Sequence, residues 1–532
     1  MNKKRINSQI LIFVIMTSGF LVRIFNIGKD SLWIPEAKVV CFSQKAVNGL
    51  FNYSDAYRPL YLLLSRTWIS FFGTSETSVR FLPVILGVIS IFFIYKIGEI
   101  LWDSRTGIIS ALILAMSAFH VYFSRQGKGV SALLVCLCLL SFLVMLRILK
   151  KNKPMDYATN VFLHIMILLS HPFGIFWLIT QNACYFVWGA AKDTKRWLIS
   201  MITLTVFLIP WYLFIISFNP EQHAANFLKP SLIIFVQILE IFSCGGSRIA
   251  GAGEGYSISK VHMIAPWILT VIFILSFLGE LFQTQRKKFA DCAPEVNRKD
   301  IRVKAMLLIW MLLPVILTYL YSILIRPIYW PRYVIYAAPA YYLIIGRFIS
   351  KIDLKKRVII LLLIAVLSFF ALKNVYFPER SGNYRQGIDF LKKNLKPGDT
   401  IIISPAEMMA VVWYYLEYDD HKILGCIDDE RGLLINGKWE TDFIYKGNRV
   451  ICLQFEQIER FNEKFDFEQF NLNAQKIWFV YAPYWALNSN SEFFDRFLSD
   501  RYYLQEERLF AHDYFFIKGY SANRDNVEIY GR

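Results

Sequence analysis

The chain has 532 residues, of which 55% are hydrophobic, 17% aromatic and only 19% charged. A water-solvated protein carries nearer a quarter charged residues, so lipid is the solvent expected for much of this one. The formal net charge of +17 does not mark nucleic-acid binding, because the excess sits in short loops between apolar runs and forms no contiguous basic domain.

Residues 9–27 (QILIFVIMTSGFLVRIFNI) are long enough to span a bilayer and follow Lys3, Lys4 and Arg5. The apolar run is long and no small-x-small cleavage site follows, so it reads as a retained first helix rather than a signal peptide. Further spans are expected near 79–101, 106–123, 130–149, 157–170, 172–191, 196–218, 262–282, 304–325, 332–350 and 357–375, which makes roughly eleven. With the N-terminus cytoplasmic, the inner connections hold Arg147-Lys150-Lys151-Lys153, Lys192-Lys195-Arg196, Arg286-Lys287-Lys288 and Lys355-Lys356-Arg357. The short outer connections, 124–130 and 326–332, hold two basic residues each. That asymmetry follows the positive-inside rule, and an odd number of spans places the tail outside.

The expected fold is therefore a polytopic α-helical membrane protein with a C-terminal extracytoplasmic α/β domain, divided as 1–377 and 378–532. The expected location is the inner (plasma) membrane, multi-pass. Two outer connections are long, 28–78 and 219–261. The first contains Leu60–Phe72, read as an amphipathic helix at the interface. The second contains a glycine-rich run over 245–255, read as a flexible loop because it lacks a strand before and a helix after; a connection of that length suits a substrate-gating lid. In the tail, Tyr384–Leu395 reads as helix, Lys396-Pro397-Gly398-Asp399 as a turn and Thr400–Ser404 as a strand. Met408–Tyr418 and Ser491–Leu498 read as helices, and Arg449–Phe455 and Lys476–Tyr481 as strands. Of eight cysteines, Cys136, Cys138 and Cys184 fall in apolar runs as core residues, and spacing does not decide whether Cys426 and Cys452 pair.

Polar groups on the outer side are the candidates for chemistry, because charge near the bilayer is costly. They are Glu36 in Ser31–Ala37, Asp55, Arg58 and Tyr61 in the stretch 55–61, Lys128 in Ser124–Gly129, His171 before Pro172, and Arg332 and Tyr333 after Pro331. Cations, a histidine and carboxylates around an outward cavity suit an anionic lipid head group. Each also has a plainer reading. Pro35 and Glu36 make a good helix start, Asp55 turns a loop, and Arg58 and Lys128 snorkel to lipid phosphates. His171 caps a helix junction, and Arg332 anchors the tail.

The stretches SLWIPEA at 31–37, RPLYLLLSRTW at 58–68, FGTSETSVRFLPVILGV at 72–88, SAFHVYFSRQGKG at 117–129, LSHPFG at 169–174, PRYVIYAAPAYYL at 331–343 and YRQGIDFLKKNLKPGD at 384–399 resemble the C-type membrane glycosyltransferases. The likeness is to the bacterial relatives of the protein O-mannosyltransferases and of the lipid A aminoarabinose transferase. It implies transfer of a hexosyl or pentosyl group from a polyprenyl-phosphate sugar to an envelope acceptor, lipid, glycan or protein, on the outer face. It further implies a first-loop carboxylate (Glu36, or Asp55 as a substitute) acting on the acceptor. Arg58, Tyr61, Lys128, His171, Arg332 and Tyr333 would then bind the donor. Pro35 and Gln126 stand where the family usually has acids, so a well-formed divalent-metal site is not expected. The same two departures leave open an accessory protein that binds the lipid-linked sugar without transferring it.

Overall fold

The computed structural model describes residues 3–44, 58–188, 194–217, 229–244, 264–288, 294–376, 383–404, 408–416, 433–435, 438–440, 442–445, 448–452, 476–481, 498–499, 502–511 and 515–521. The helices in chain order are α1 (Lys3–Ile24), α2 (Ile34–Gln44), α3 (Pro59–Phe72), α4 (Glu76–Leu101), α5 (Ser104–Met116), α6 (Ala118–Phe123), α7 (Val130–Lys151), α8 (Pro154–Ser170), α9 (Gly174–Trp188), α10 (Thr194–Ser217), α11 (Ile234–Cys244), α12 (Ile264–Lys288), α13 (Pro294–Leu324), α14 (Ala338–Lys351), α15 (Leu354–Tyr376), α16 (Tyr384–Asn394) and α17 (Met409–Leu416). A 3₁₀ turn, Pro331–Ala337, leads into α14. The chain forms two compact units, one of Met1–Ile27, Tyr57–Tyr61 and Arg80–Glu379, the other of Gly28–Ala56, Leu62–Val79 and Arg380–Arg532.

In the first unit every one of the apolar segments expected to span lies on helix. Among the described residues, six helices are long and apolar enough to cross a membrane: Asn7–Ile24, Glu76–Leu101, Val130–Lys151, Thr194–Leu213, Lys299–Leu324 and Pro331–Lys351. The solvent they need is visible on α10, where Ile202, Val206 and Phe207 are all more than 60% exposed. An apolar stripe that wide would be unstable in water and is ordinary against acyl chains. The protein is thus a polytopic membrane protein. Its interior is aromatic: Phe142 stacks 4.2 Å from Trp310 between ring centres, and Trp177 lies 5.4 Å from Trp310.

Several buried polar groups in this unit find partners within the bundle, which a hydrocarbon surround favours. Gln181 Nε2 on α9 donates to the Ser141 carbonyl on α7 at 2.9 Å. His164 pairs through Nδ1 with the Asn160 carbonyl of its own helix at 2.7 Å. Glu280, wholly buried, holds Lys304 at 2.8 Å and Lys351 at 2.6 Å, which joins α12 to α13 and α14. One expected span is divided: 106–123 breaks at Ser117, which caps α6 by accepting from the His120 amide at 3.2 Å.

In the second unit, a six-stranded sheet runs in the order β4-β5-β1-β6-β8-β7, where β1 is Thr400–Ser404, β4 Asp442–Tyr445, β5 Asn448–Cys452, β6 Lys476–Tyr481, β7 Tyr503–Ala511 and β8 Phe515–Ser521. Strands β2 (Leu433–Ile435) and β3 (Lys438–Glu440) form a separate antiparallel pair. Central β1 pairs parallel with both β5 and β6, and like β6 it reads as an unbroken apolar run because both faces are covered. The expected turn before β1 is present, with Gly398 at φ +93. Asp399 locks that turn, its Oδ2 accepting from the Lys396 amide at 2.9 Å and from Trp478 Nε1 at 3.0 Å.

Most of the long connection 28–78 belongs to this same unit, as Gly28–Ala56 and Leu62–Val79. Leu32, Ile34, Ala37, Val40 and Phe42 share one core with Ile401, Ile403, Met409, Val412 and Trp478. Polar bonds reinforce it: the Leu32 amide donates to Tyr415 Oη at 2.6 Å, and Arg385 Nε donates to Glu76 Oε1 at 3.0 Å. Burial alone would lower the Arg385 pKa, but its bond to Glu76 and that carboxylate's charge raise it. Helix α3 covers the expected Leu60–Phe72 amphipathic segment. The glycine-rich run over 245–255, Cys426 and Ser491–Phe497 lie outside the described residues.

Candidate functional site

Arg58 is the residue before Pro59, the first of α3. Proline favours the first helical position and forces its predecessor to be extended, which fixes where the Arg58 side chain leaves the backbone. Three residues on, Tyr61 is 1% exposed and its hydroxyl donates to the Gly127 carbonyl at 2.6 Å. That bond holds the turn between α6 and α7, which carries Gln126 and Lys128. Gly129 closes the turn and permits the approach, since an added Cβ would stand 2.6 Å from Tyr61 Oη and 2.5 Å from Pro83 Cγ.

His171 ends α8, its amide donating to the Ile167 carbonyl at 3.1 Å, and Pro172 holds it in extended geometry. Its Nδ1 accepts from the Phe173 amide at 3.1 Å, so in the neutral ring the hydrogen resides on Nε2. His171 thus takes part in the helix junction through Nδ1. Tyr333 packs on it at 5.0 Å between ring centres, and the Arg332 guanidinium lies 5.2 Å from the Tyr333 ring and 5.6 Å from that of Trp330. Stacking of this kind holds a planar cation in one orientation.

These pieces line a small, partly open cleft, with Arg58, Gln126, Lys128, His171, Arg332 and Tyr333 on its polar side. Ser131 and the apolar side chains of Phe123, Val130 and Leu134 complete the wall. Val130 and Ser131 are the first two residues of α7, whose N-cap Gly129 supplies no side-chain bond to the amides behind it. A helix N-terminus carries partial positive charge and amide donors. The cleft thus gathers three cations, a histidine and a helix start, and no carboxylate lines it among the described residues.

Of the residues singled out by sequence, Arg58, Lys128, His171, Arg332 and Tyr333 meet in this cleft, while Tyr61 supports it from beneath. Glu36 lies in the second unit, 1% exposed, with its Oε2 accepting from the Trp33 amide at 3.4 Å. Trp33 is the residue before α2 and Glu36 the third within it, so this is the reach-back half of a capping box, one position later than the sequence placed it. Asp55 lies outside the described residues. Sequence reasoning missed Ser131 and the apolar wall. Their only signal is adjacency to Lys128 and the i, i+4 spacing of Val130 and Leu134. Among the described residues, no three His, Cys, Asp or Glu side chains converge as a metal site would require.

Residues 57–213 match the family described as dolichyl-phosphate-mannose-protein mannosyltransferase. None of the curated proteins matches the sequence. Two crystal structures of ArnT from Cupriavidus metallidurans share the fold, each at 11% identity over 96% of this chain. The apo form aligns with 98% of its own chain at a TM-score of 0.58, and the form bound to undecaprenyl phosphate with 97% at 0.53. The Archaeoglobus fulgidus oligosaccharyltransferase tethered to an acceptor peptide aligns at a TM-score of 0.50 and 11% identity, covering 98% of this chain and 75% of its own. The matched segment and the shared fold point the same way as the sequence resemblance to the C-type membrane glycosyltransferases.

Proposed function

We propose that this protein transfers a sugar from a polyprenyl-phosphate-linked donor to an acceptor in the cell envelope, at the outer face of the inner membrane. The observation that carries the reading is the cleft of Arg58, Lys128, Arg332 and His171, cationic and set on the first turn of α7. A sugar on a phosphate is already activated. Cleaving that bond builds charge on the leaving phosphate, and cations fixed beforehand lower the barrier at that moment. The stacked Arg332 suits such a role because its orientation is already paid for. The Nε2–H of His171 adds a neutral donor to the same oxygens. Glu36 or Asp55 deprotonates or orients the acceptor. Loop charges support a cytoplasmic N-terminus and put these motifs outside, and the relative ArnT has been crystallised with undecaprenyl phosphate.

Gln126 in the cleft wall favours a second reading. An amide there binds sugar hydroxyls but takes no proton, as expected of an accessory protein that holds the lipid-linked sugar.

Purified protein incubated with labelled polyprenyl-phosphate sugars and an envelope extract separates the readings. Transfer by the wild type, lost about 100-fold or more in Glu36→Gln or in Asp55→Asn, supports the enzyme and assigns the base. Donor binding with no transfer supports the accessory protein. Absence of donor binding overturns both.

A further inference from the structure

Arg23 stands in the last turn of a membrane helix and is 0% exposed. Such a residue is costly unless every donor is used. Its guanidinium donates through Nη1 to the carbonyls of Gly19 at 2.9 Å and Ala115 at 3.0 Å. Nη2 donates to the Leu114 carbonyl at 3.3 Å and to His120 Nδ1 at 2.8 Å, and Nε to Ser124 Oγ at 3.0 Å. The last carbonyls of a helix have no partner within it, and Leu114 and Ala115 are in the final turn of α5. Arg23 therefore serves the break at Ser117 that divides α5 from α6. Gly87 leaves it room, since a Cβ there would lie 2.6 Å from Ser124 Cβ and 3.0 Å from Arg23 Nε.

The grip is returned. Arg125 Nη1 donates to the carbonyls of Arg23 at 2.6 Å and Phe25 at 2.7 Å, at the C-terminal end of α1. The Arg125 guanidinium lies 4.8 Å from the Tyr376 ring, and Tyr376 Oη donates to the Val22 carbonyl at 2.5 Å. Arg125 thus serves carbonyls at the end of the Arg23 helix, while Arg23 serves the end of α5 and holds the His120 and Ser124 side chains just before Arg125, with α15 bracing the pair. Gln126 follows Arg125 directly, and Lys128 is two residues further.

We propose that Arg23 and Arg125 form a reciprocal clasp that positions the Ser124–Lys128 turn, and through it the Gln126 and Lys128 side chains, in the anion cleft. The consequence for ligand binding rests on reading that cleft as a phosphate site. Both arginines are positioning residues and touch no ligand themselves.

The full-length protein in lipid nanodiscs tests this with two readouts. Arg23→Met removes five hydrogen bonds from the bundle interior and is expected to unfold, so the half-buried Arg125 carries the test. Hydrogen exchange at the amides of residues 124–129 is expected to quicken about tenfold or more in Arg125→Met, with partial recovery in Arg125→Lys. Undecaprenyl phosphate is expected to bind about tenfold or more weakly to Arg125→Met, since small misplacements of binding groups are expensive. Its dependence on salt is expected to stay as in wild type, because the cations of the cleft remain. Unchanged exchange at 124–129 overturns the clasp, whatever the binding does. So does weaker binding accompanied by a flatter salt dependence, which marks Arg125 as a ligand-facing charge. If the wild type binds no undecaprenyl phosphate, the phosphate reading fails while the exchange result still judges the clasp.

Discussion

Gly129→Ala tests how closely the cleft is built. Gly129 has φ −74 and ψ 18, which alanine adopts freely, so the effect of the substitution is packing and not backbone strain. The new methyl would stand 2.5 Å from Pro83 Cγ, 2.6 Å from Tyr61 Oη and 2.9 Å from Pro83 Cβ. Ordinary contact at such a carbon needs about 3.5–4 Å, so something must move by roughly an ångström. The Pro83 ring is rigid and sits inside α4, and Tyr61 is tied to Gly127, so the 126–129 turn is the part that yields. Overpacking of this kind costs about 1–3 kcal/mol. A shift of that size beside Lys128 is expected to weaken undecaprenyl phosphate binding by about 10–100-fold. Thermal melting in detergent and a ligand titration measure the two effects. Adding Tyr61→Phe removes one clashing atom at the expense of the Gly127 bond, about 1 kcal/mol, so the double variant is expected to lose less than the sum of the singles. Wild-type melting and binding by Gly129→Ala, or strict additivity with Tyr61→Phe, refutes this account of the turn.

Lys128→Met and Arg58→Met are each expected to weaken undecaprenyl phosphate binding by about 10–100-fold at low salt, the worth of one charge-assisted hydrogen bond. Titrations between low and high salt are expected to show a flatter dependence than wild type, and an unchanged one counts against a phosphate site. Lys304→Met removes the buried cation 2.8 Å from Glu280, along with its pair to Asp300, and is expected to cost about 3 kcal/mol. Melting checks this, and restoring stability with Glu280→Leu in the same chain identifies the uncompensated charge as the cause. Glu76→Gln weakens the bonds from Arg385 and Tyr415. Because Arg385 is 39% exposed, solvent screening limits the expected loss to about 1 kcal/mol. Limited proteolysis near residue 385 is expected to become faster, and an unchanged rate argues that the apolar core of that unit suffices alone.

The helical plan was legible because lipid imposes a length and a composition that survive in any context. Each expected apolar segment is helical, down to the short 157–170 run that Pro172 separates from the next. The tail elements read well where the chain is central in the sheet: β1 and β6 are continuous apolar runs bounded by turn residues. Strands β4, β7 and β8 were not anticipated. In β7 the alternation is interrupted by register shifts between Leu504 and Glu506 and between Leu509 and Ala511, which displace the periodicity that reveals a strand. The Ser117 break carries no proline or glycine to announce it. It is stabilised by a side chain almost a hundred residues earlier, and local propensity contains no trace of that.

Residue chemistry by itself determined that this protein is a polytopic membrane protein and which cations, histidine and tyrosines stand beside its apolar segments. Proline and glycine positions also settled how several of those side chains leave the backbone. Only the tertiary structure decided that Arg58, Lys128, His171 and Arg332, drawn from four separate connections, face a single cleft. It likewise decided that Glu36 reaches back to its own helix start, and that segments 28–56 and 62–79 join the C-terminal residues in one compact unit. The physical reason is the same in each case. Burial in lipid and helix capping act over a few residues and leave their mark in spacing, whereas convergence depends on packing partners far apart in the chain, which spacing does not encode.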